Sequence, residues 1–176
     1  MRITGTLHDD HEEVLDLLGR VERGETAPDP DTVASIVREL SVHAAAEETT
    51  VYPFAERVIP NGRTTVELHR KEHQLVKDLL VDVEKASPTD LVPLIGALAA
   101  YVRAHVEHEE TKLFAKLEQY ATPEQLEEVG AAFDAAKKTA PTHPHPHAPR
   151  RPPANVVANR AAVFLDRMRD LVGSRR

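Results

Sequence analysis

Apolar residues recur at three- and four-residue intervals through four long stretches, a spacing that predicts four amphipathic helices. The first runs from about Leu7 to Arg23, with His11, Val14, Leu15, Leu18 and Val21 on one stripe. Residues 24–30 form a turn-rich break. The second begins near Asp31 and puts Val33, Ile36, Val37, Leu40, His43, Glu47, Val51 and Phe54 on one face. Pro53 should bend it or tighten its last turns, and Pro60-Asn61-Gly62 ends it. The third carries Val66, His69, His73, Val76, Leu80 and Val83 in alternating three-four spacing. Ser87-Pro88-Thr89-Asp90 caps a fourth, which presents Leu91, Leu94, Leu98, Tyr101, His105, Glu109 and Leu113 in turn. Short connections between four such helices predict an all-α fold, an antiparallel up-down-up-down four-helix bundle.

A short fifth helix is expected after Thr122-Pro123-Glu124, ending near Lys137-Lys138. These elements define a first unit, residues 1–140. A Pro/His-rich linker, 141–154, should be extended and without a core of its own. A C-terminal amphipathic helix follows in 155–176, with Val157, Ala161, Phe164, Met168 and Leu171 at helical spacing.

The polar residues on the apolar stripes change the picture most. Adding 62 to the numbers of His11, His43 and Glu47 gives His73, His105 and Glu109. The flanks keep the same register: His43-Ala-Ala-Ala-Glu47-Glu48 aligns with His105-Val-Glu-His-Glu109-Glu110, and Asp16-Leu17-Leu18 with Asp78-Leu79-Leu80. A duplicated helical hairpin with one His/carboxylate set in each half can hold two metal ions about a pseudo-twofold axis. Buried charges and unpaired imidazoles are costly in a low-dielectric interior, and bound metal compensates them together. His and Glu four apart share a helix face, so both can reach one ion. A lone His-x-x-x-Glu is more often a surface pair; two on matching core stripes are not readily explained that way.

Composition narrows the function. Hydrophobic residues at 41% suffice for a core, but aromatics at 4% leave it to Leu, Val, Ile and Ala, as suits packed helices. The absence of cysteine excludes disulfides, thiolate metal sites and cysteine nucleophiles. A net charge of -7 argues against nucleic acid as a partner. No run approaches a membrane span and no signal-peptide pattern opens the chain, so a cytoplasmic protein is expected. Neither a phosphate loop nor a Ser/His/Asp set is apparent.

Through Asp10-His11, His43-x-x-x-Glu47-Glu48, Lys71-Glu72-His73 and His105-x-x-x-Glu109-Glu110, residues 6–120 resemble the hemerythrin-like proteins, the HHE cation-binding family of bacterial type. The resemblance implies a four-helix bundle around a non-haem di-iron centre: two Fe ions per chain as an oxo- or hydroxo-bridged pair, with Mn or a mixed pair as the alternative. His11, His43, His73 and His105 would be terminal ligands, and Glu47 and Glu109 would bridge. His69, whose repeat mate is Leu7, corresponds to a second third-helix histidine of the oxygen carriers; as a ligand it would give one iron three imidazoles and the other two. The oxygen carriers have an aspartate five after the fourth-helix histidine where this chain has Glu109 four after. That spacing is common in the wider group, which includes sensors, nitric-oxide and peroxide handlers and iron-dependent regulators. Five imidazoles with two carboxylates suit octahedral Fe or Mn, whereas zinc would use only four of them.

The expected function is therefore binding or turnover of dioxygen, hydrogen peroxide or nitric oxide, including a catalase-like activity. The alternatives are a sensor module signalling to a partner, or an iron donor or store. A diatomic ligand or peroxide is the expected partner, without a membrane, and the chain is expected to be a monomer or weak homodimer. Other residues have two readings each. His8 is a first-turn polar residue or a substitute ligand; His108 points off its stripe and is solvated. Phe54 and Leu113 are core or the wall of a gas pocket. Tyr101 bonds a ligand or another core partner, and Tyr52 faces away from His43 unless Pro53 bends the helix. His143, His145 and His147 alternate with prolines as a stiff linker or a weak external site for zinc, copper or nickel. Arg160, Arg167, Arg169, Arg175 and Arg176 suit docking of the last helix onto the acidic bundle or a second subunit.

Overall fold

The computed structural model describes residues 1–149, 151 and 153–173, and no strand occurs among them. Helix α1 (Ile3–Glu22) is followed by α2 (Pro30–Thr49), α3 (Val51–Val58), α4 (Gly62–Lys85) and α5 (Leu91–His108). The chain runs on from α5 through a π-helical turn (Glu109–Phe114) into α6 (Ala115–Tyr120), then α7 (Pro123–Lys137) and α8 (Ala154–Gly173). Asp29 starts α2 by accepting the Thr32 N–H at 2.8 Å, with Pro30 at the first helical position. Thr122 and Gln125 form a capping box at the start of α7.

Each of α1, α2, α4 and α5 packs against two of the others, α1 on α2 and α5, and α4 on α2 and α5. Helix α7 lies across α1 and α2, and α8 sits on α2. Two apolar clusters fill the interior. One gathers Ile3, Leu7, Val51, Tyr52, Phe54, Leu113, Phe114, Leu126 and Phe133; the other gathers Val14, Leu18, Ile36, Leu40, Leu80, Val83, Ile95 and Leu98. Each fully buried Leu or Ile contributes about 1.5–3 kcal/mol by leaving water. Helices α1 and α4 run from the first cluster to the second, while α2 and α5 run the other way. On all four, the histidines and glutamates of the stripe fall between the clusters.

The second predicted helix is two helices. The break is at Thr50 (φ -124°, ψ -63°) rather than at Pro53. Pro53 has no N–H for the Thr49 carbonyl and its ring crowds that group, so the ladder fails one turn earlier. Hydroxyls repair the end of α2: Thr50 donates to Ala46 O at 2.7 Å and Thr49 to Ala45 O at 2.9 Å. The turn into α4 places Asn61 in the left-handed region (φ 56°), and at Gly62 an added Cβ would lie 2.4 Å from the Ala55 carbonyl oxygen. Only glycine allows α3 and α4 to approach so closely.

Three faces differ from the sequence pattern. Helix α1 starts at Ile3 rather than Leu7, because Ile3 and Leu7 are buried one turn apart. The buried side of α5 is Ile95, Leu98, Ala99, Val102, His105 and Val106, which turns Tyr101 outward to half exposure. Helix α8 docks through Asn155, Ala162 and Asp166, leaving Val157, Ala161 and Leu165 in solvent. The side chains of Phe164, Met168 and Leu171, and the residues Arg175 and Arg176, lie outside the described residues.

Residues 141–149 lie against the helices. Pro141 and Pro144 are buried, and the His143 ring is held between Glu84 of α4 and Asp170 of α8. Asp166 accepts the N–H groups of Thr142 and His143 at 2.9 and 3.1 Å and contacts His145 Nε2 at 3.0 Å. His147 is exposed. Among the described residues no helix is long and apolar enough to cross a membrane.

Candidate metal centre

The polar layer between the two clusters brings all seven predicted residues together. His11, Glu47, His69, His73, His105 and Glu109 are buried, and His43 is nearly so. One donor atom from each of His11, His43, Glu47 and Glu109 lies within 4.8 Å of all the others. Glu47, His73 and His105 satisfy the same condition, as do His69, Glu72 and His105. Each glutamate reaches across the duplication. Glu47 Oε2 is 3.3 Å from His43 Nε2 in its own half and 3.1 Å from His73 Nε2 in the other. Glu109 Oε2 is 3.6 Å from His105 Nε2 and 3.4 Å from His11 Nε2. The offset of 62 is thus a spatial exchange, in which both carboxylates sit where both histidine sets can share them.

A second ring of carboxylates aims the imidazoles. The Nδ1 atoms of His11, His43, His73 and His105 lie 3.0 Å from Glu110, 3.4 Å from Asp10, 3.2 Å from Glu48 and 3.0 Å from Glu72. A carboxylate on Nδ1 fixes the tautomer with Nε2 as the inward lone pair and raises its basicity. These four acids obey the same offset, Asp10 with Glu72 and Glu48 with Glu110. Lysines hold two of them: Lys77 donates to Glu48 at 2.7 Å and Lys137 to Asp10 at 2.6 Å. His8 and His108 fall in this outer ring, half exposed, against Glu110 at 3.0 Å and Glu72 at 2.7 Å.

Two differences between the halves bear on the site. Tyr52 corresponds to Phe114, and each sits at a departure from the α-helix, Tyr52 just after the break at Thr50 and Phe114 at the end of the π-helical turn. Such departures recur at functional sites. The break swings Tyr52 inward until it is fully buried, with its hydroxyl 2.9 Å from His73 Nε2 and 3.4 Å from Glu47 Oε2. Phe114 stacks on His11 at 6.0 Å and offers no polar atom. His69, facing the site where its mate Leu7 is plain core, lies 5.9 Å from the His105 ring, and Glu72 Oε2 is 3.4 Å from its Nδ1. Phe54 and Leu113 are ordinary members of the first apolar cluster.

Protonated imidazoles offset the charge of the buried carboxylates. Burial works against charge on His43, but Glu47, Asp10 and Glu109 outweigh it and push the imidazole up to about 10. His73 is also raised, because Glu47 and Glu48 overcome its burial. Burial would lift Glu47, yet His43 and His73 hold it well below the usual carboxylate range. Burial of Glu72 is likewise overcome by hydrogen bonds from His105 and His108, which bring it to about 2. For Tyr52, burial together with Glu109 and Glu47 drives the phenol well above its ordinary value. His69 goes the other way: burial lowers it, only partly opposed by Glu109, and favours the neutral ring a metal requires.

The buried atoms left without a hydrogen-bond partner test whether the donor set fits a metal. They include His11 Nε2, His43 Nε2, Glu47 Oε1, His69 Nδ1 and both oxygens of Glu109. An unsatisfied buried polar atom costs about 1–3 kcal/mol, and more when charged. Six such atoms on five of the seven residues are what cations among them would satisfy at once. The fit is good.

The hemerythrin HHE cation-binding domain family matches residues 2–117, so the chain belongs to that family. It is 32% identical to an uncharacterized hemerythrin-like protein of Schizosaccharomyces pombe over 97% of its own length and 86% of that protein. It is 30% identical to a protein of Nostoc sp. named as a DNA nickase, over 78% of its own length and 39% of the relative. The chain therefore spans well under half of the second relative. No solved structure gives a significant match. The family and the His/Glu clusters together make this a metal-binding domain of the kind that usually takes iron.

Proposed function

We propose that this chain is a non-haem di-iron protein that binds or turns over dioxygen, hydrogen peroxide or nitric oxide. Its frame in this reading is an up-down-up-down four-helix bundle of α1, α2 with α3, α4 and α5, within a unit of residues 1–140. The observation that carries the proposal is the pair of glutamates, each in contact with a histidine of both halves, together with the buried atoms left unpaired around them. His11 and His43 would hold one ion, and His73, His105 and His69 the other. Glu47 and Glu109 would serve both, and Mn or a mixed pair is the competing loading.

Iron held there supplies one-electron redox chemistry and a coordination position open to a diatomic molecule or peroxide. The chain's own residues set the conditions. Glu110, Asp10, Glu48 and Glu72 keep the imidazoles aimed inward. Tyr52 offers a buried phenol proton beside His73 and Glu47, and Phe114 excludes water at the equivalent place by His11. The ion on the His11–His43 side, with one imidazole fewer, would keep the position open to a small molecule. The net charge of -7 supports a small partner over nucleic acid, in a monomer or weak homodimer of the cytoplasm. The test is the visible spectrum of reduced, iron-loaded protein exposed in turn to dioxygen, nitric oxide and peroxide. A charge-transfer band that reverses on removing oxygen marks a carrier, irreversible change with gas from peroxide marks turnover, and no response to any of the three refutes the proposal.

A sensor is the second reading, favoured by one contact: Asn155 of α8 donates to the Glu48 carbonyl oxygen at 3.1 Å, beside Glu47. Proteolysis rates of the tail that are equal in metal-free, reduced and oxidised protein would rule it out.

A further inference from the structure

The family match ends at residue 117, yet two later helices touch residues that aim the histidines, α7 at the carboxylate of Asp10 and α8 at the main-chain carbonyl of Glu48. Helix α7 does so at His43. Its Phe133, fully buried, sets its ring edge-on to the His43 ring at 5.8 Å. One turn later Lys137 donates to Asp10 Oδ2 at 2.6 Å, and the same oxygen lies 3.4 Å from His43 Nδ1. The ammonium also sits 5.8 Å over the Phe133 ring, so cation, carboxylate and aromatic edge form one bracket around this imidazole. Lys137 is partly open to a cleft of about 670 Å³ between α2, α7 and α8, and a small crevice beside Asp10 reaches His43 itself. This corner is the most solvent-exposed of the four inner histidines, where an unheld carboxylate would turn to water.

Helix α8 acts on the opposite pair. The Glu48 carbonyl lies two residues before the break at Thr50, beyond which the helical ladder resumes with the Phe54 N–H on Thr50 O. Asn155, 1% exposed, satisfies that carbonyl through Nδ2 at 3.1 Å. The same residue, Glu48, receives His73 Nδ1 and Lys77 on its side chain. The Asn155 bond therefore braces the break that turns Tyr52 inward and fixes the residue orienting His73.

We propose that Lys137 and Asn155, both outside the family-matched residues, are positioning residues of the metal centre, Lys137 acting through Asp10 on His43 and Asn155 through Glu48 on His73. This rests on the metal-binding reading above. In it, α7 and α8 support the orientation of the His43 and His73 imidazoles, and hence ion affinity, in this chain.

The experiment uses the full-length protein, loaded anaerobically with iron(II) against a competing chelator, and with cobalt(II) for its visible spectrum. Thermal unfolding of each metal-free variant is followed in parallel. Loss of an outer orienting partner typically weakens metal binding by about 10–100-fold. Lys137→Met is expected to weaken one ion's binding within that range and shift the cobalt bands, with Lys137→Arg restoring most of the loss. Because Lys137 acts through Asp10, the double variant with Asp10→Asn should bind no more weakly than Asp10→Asn alone. Asn155→Ala should change the cobalt bands as well as the unfolding temperature. Variants that bind as wild type with unchanged spectra overturn this inference alone, as does additivity of Lys137→Met with Asp10→Asn. A wild-type protein that takes up neither metal overturns the metal-binding reading, and this inference with it.

Discussion

Replacing His43 with Gln in the metal-free protein isolates the electrostatics of the polar layer. His43 is almost wholly buried, its Nε2 3.3 Å from Glu47 and its Nδ1 3.4 Å from Asp10, and these acids push it up to about 10. A group raised on folding stabilises fully below its unfolded value and loses that contribution as pH rises through its folded value. The unfolded imidazole titrates near 6.5, so at pH 7 the relevant gap is that between pH 7 and about 10. At about 1.4 kcal/mol per tenfold change in proton affinity, it corresponds to about 4 kcal/mol, falling to about 1 kcal/mol at pH 9. These are upper figures, because Glu47 keeps His73 and Tyr52 in the variant. Urea denaturation of chelator-stripped wild type and His43→Gln across pH 6–9 measures the difference directly. A gap that stays constant or widens with pH refutes the reasoning. With metal present the sign inverts, since the ion competes with the proton and its stabilisation grows with pH.

Three further outcomes follow from particular contacts. Gly62→Ala places a Cβ 2.4 Å from the Ala55 carbonyl oxygen, so thermal unfolding should show about 1–3 kcal/mol lost as α3 and α4 are forced apart. Leu80→Ala, emptying a fully buried position in the second cluster, should lose about 2–5 kcal/mol in denaturant while leaving metal content near wild type. Tyr52→Phe removes the hydroxyl beside His73 and Glu47; metal-free stability should fall by about 1–3 kcal/mol, and the spectrum of the iron-loaded protein should change more than in Leu18→Ala, an equally buried position in the second cluster.

The stripes showed the inner donors because buried positions are the ones periodicity reports. His11, His43, Glu47, His73, His105 and Glu109 each interrupt an apolar face, and the common offset ties them together. The orienting acids were harder to see. Asp10, Glu48, Glu72 and Glu110 sit beside those donors and resemble any solvated acid, although their own adherence to the offset was a usable signal. Tyr52 was hidden by the assumption of a continuous helix; on an ideal helix it points away from His43, and only a break one turn before Pro53 brings it in. Tyr101 misled in the opposite direction, because an apolar-looking stripe on α5 is displaced by one helical position from the face that packs. Helix α8 docks through Asn155 and Asp166, whose pairing depends on a carbonyl at the α2 break and on backbone N–H groups of the linker. No hydrophobic pattern encodes such contacts.

The central claim is a two-ion site shared by Glu47 and Glu109, and anaerobic iron titration with metal analysis tests it most directly. Wild type should saturate at two irons per chain, while Glu47→Ala and Glu109→Ala, each removing a carboxylate that serves both histidine sets, should lose both ions together. Saturation at one iron, or two irons retained in both variants, would contradict the account.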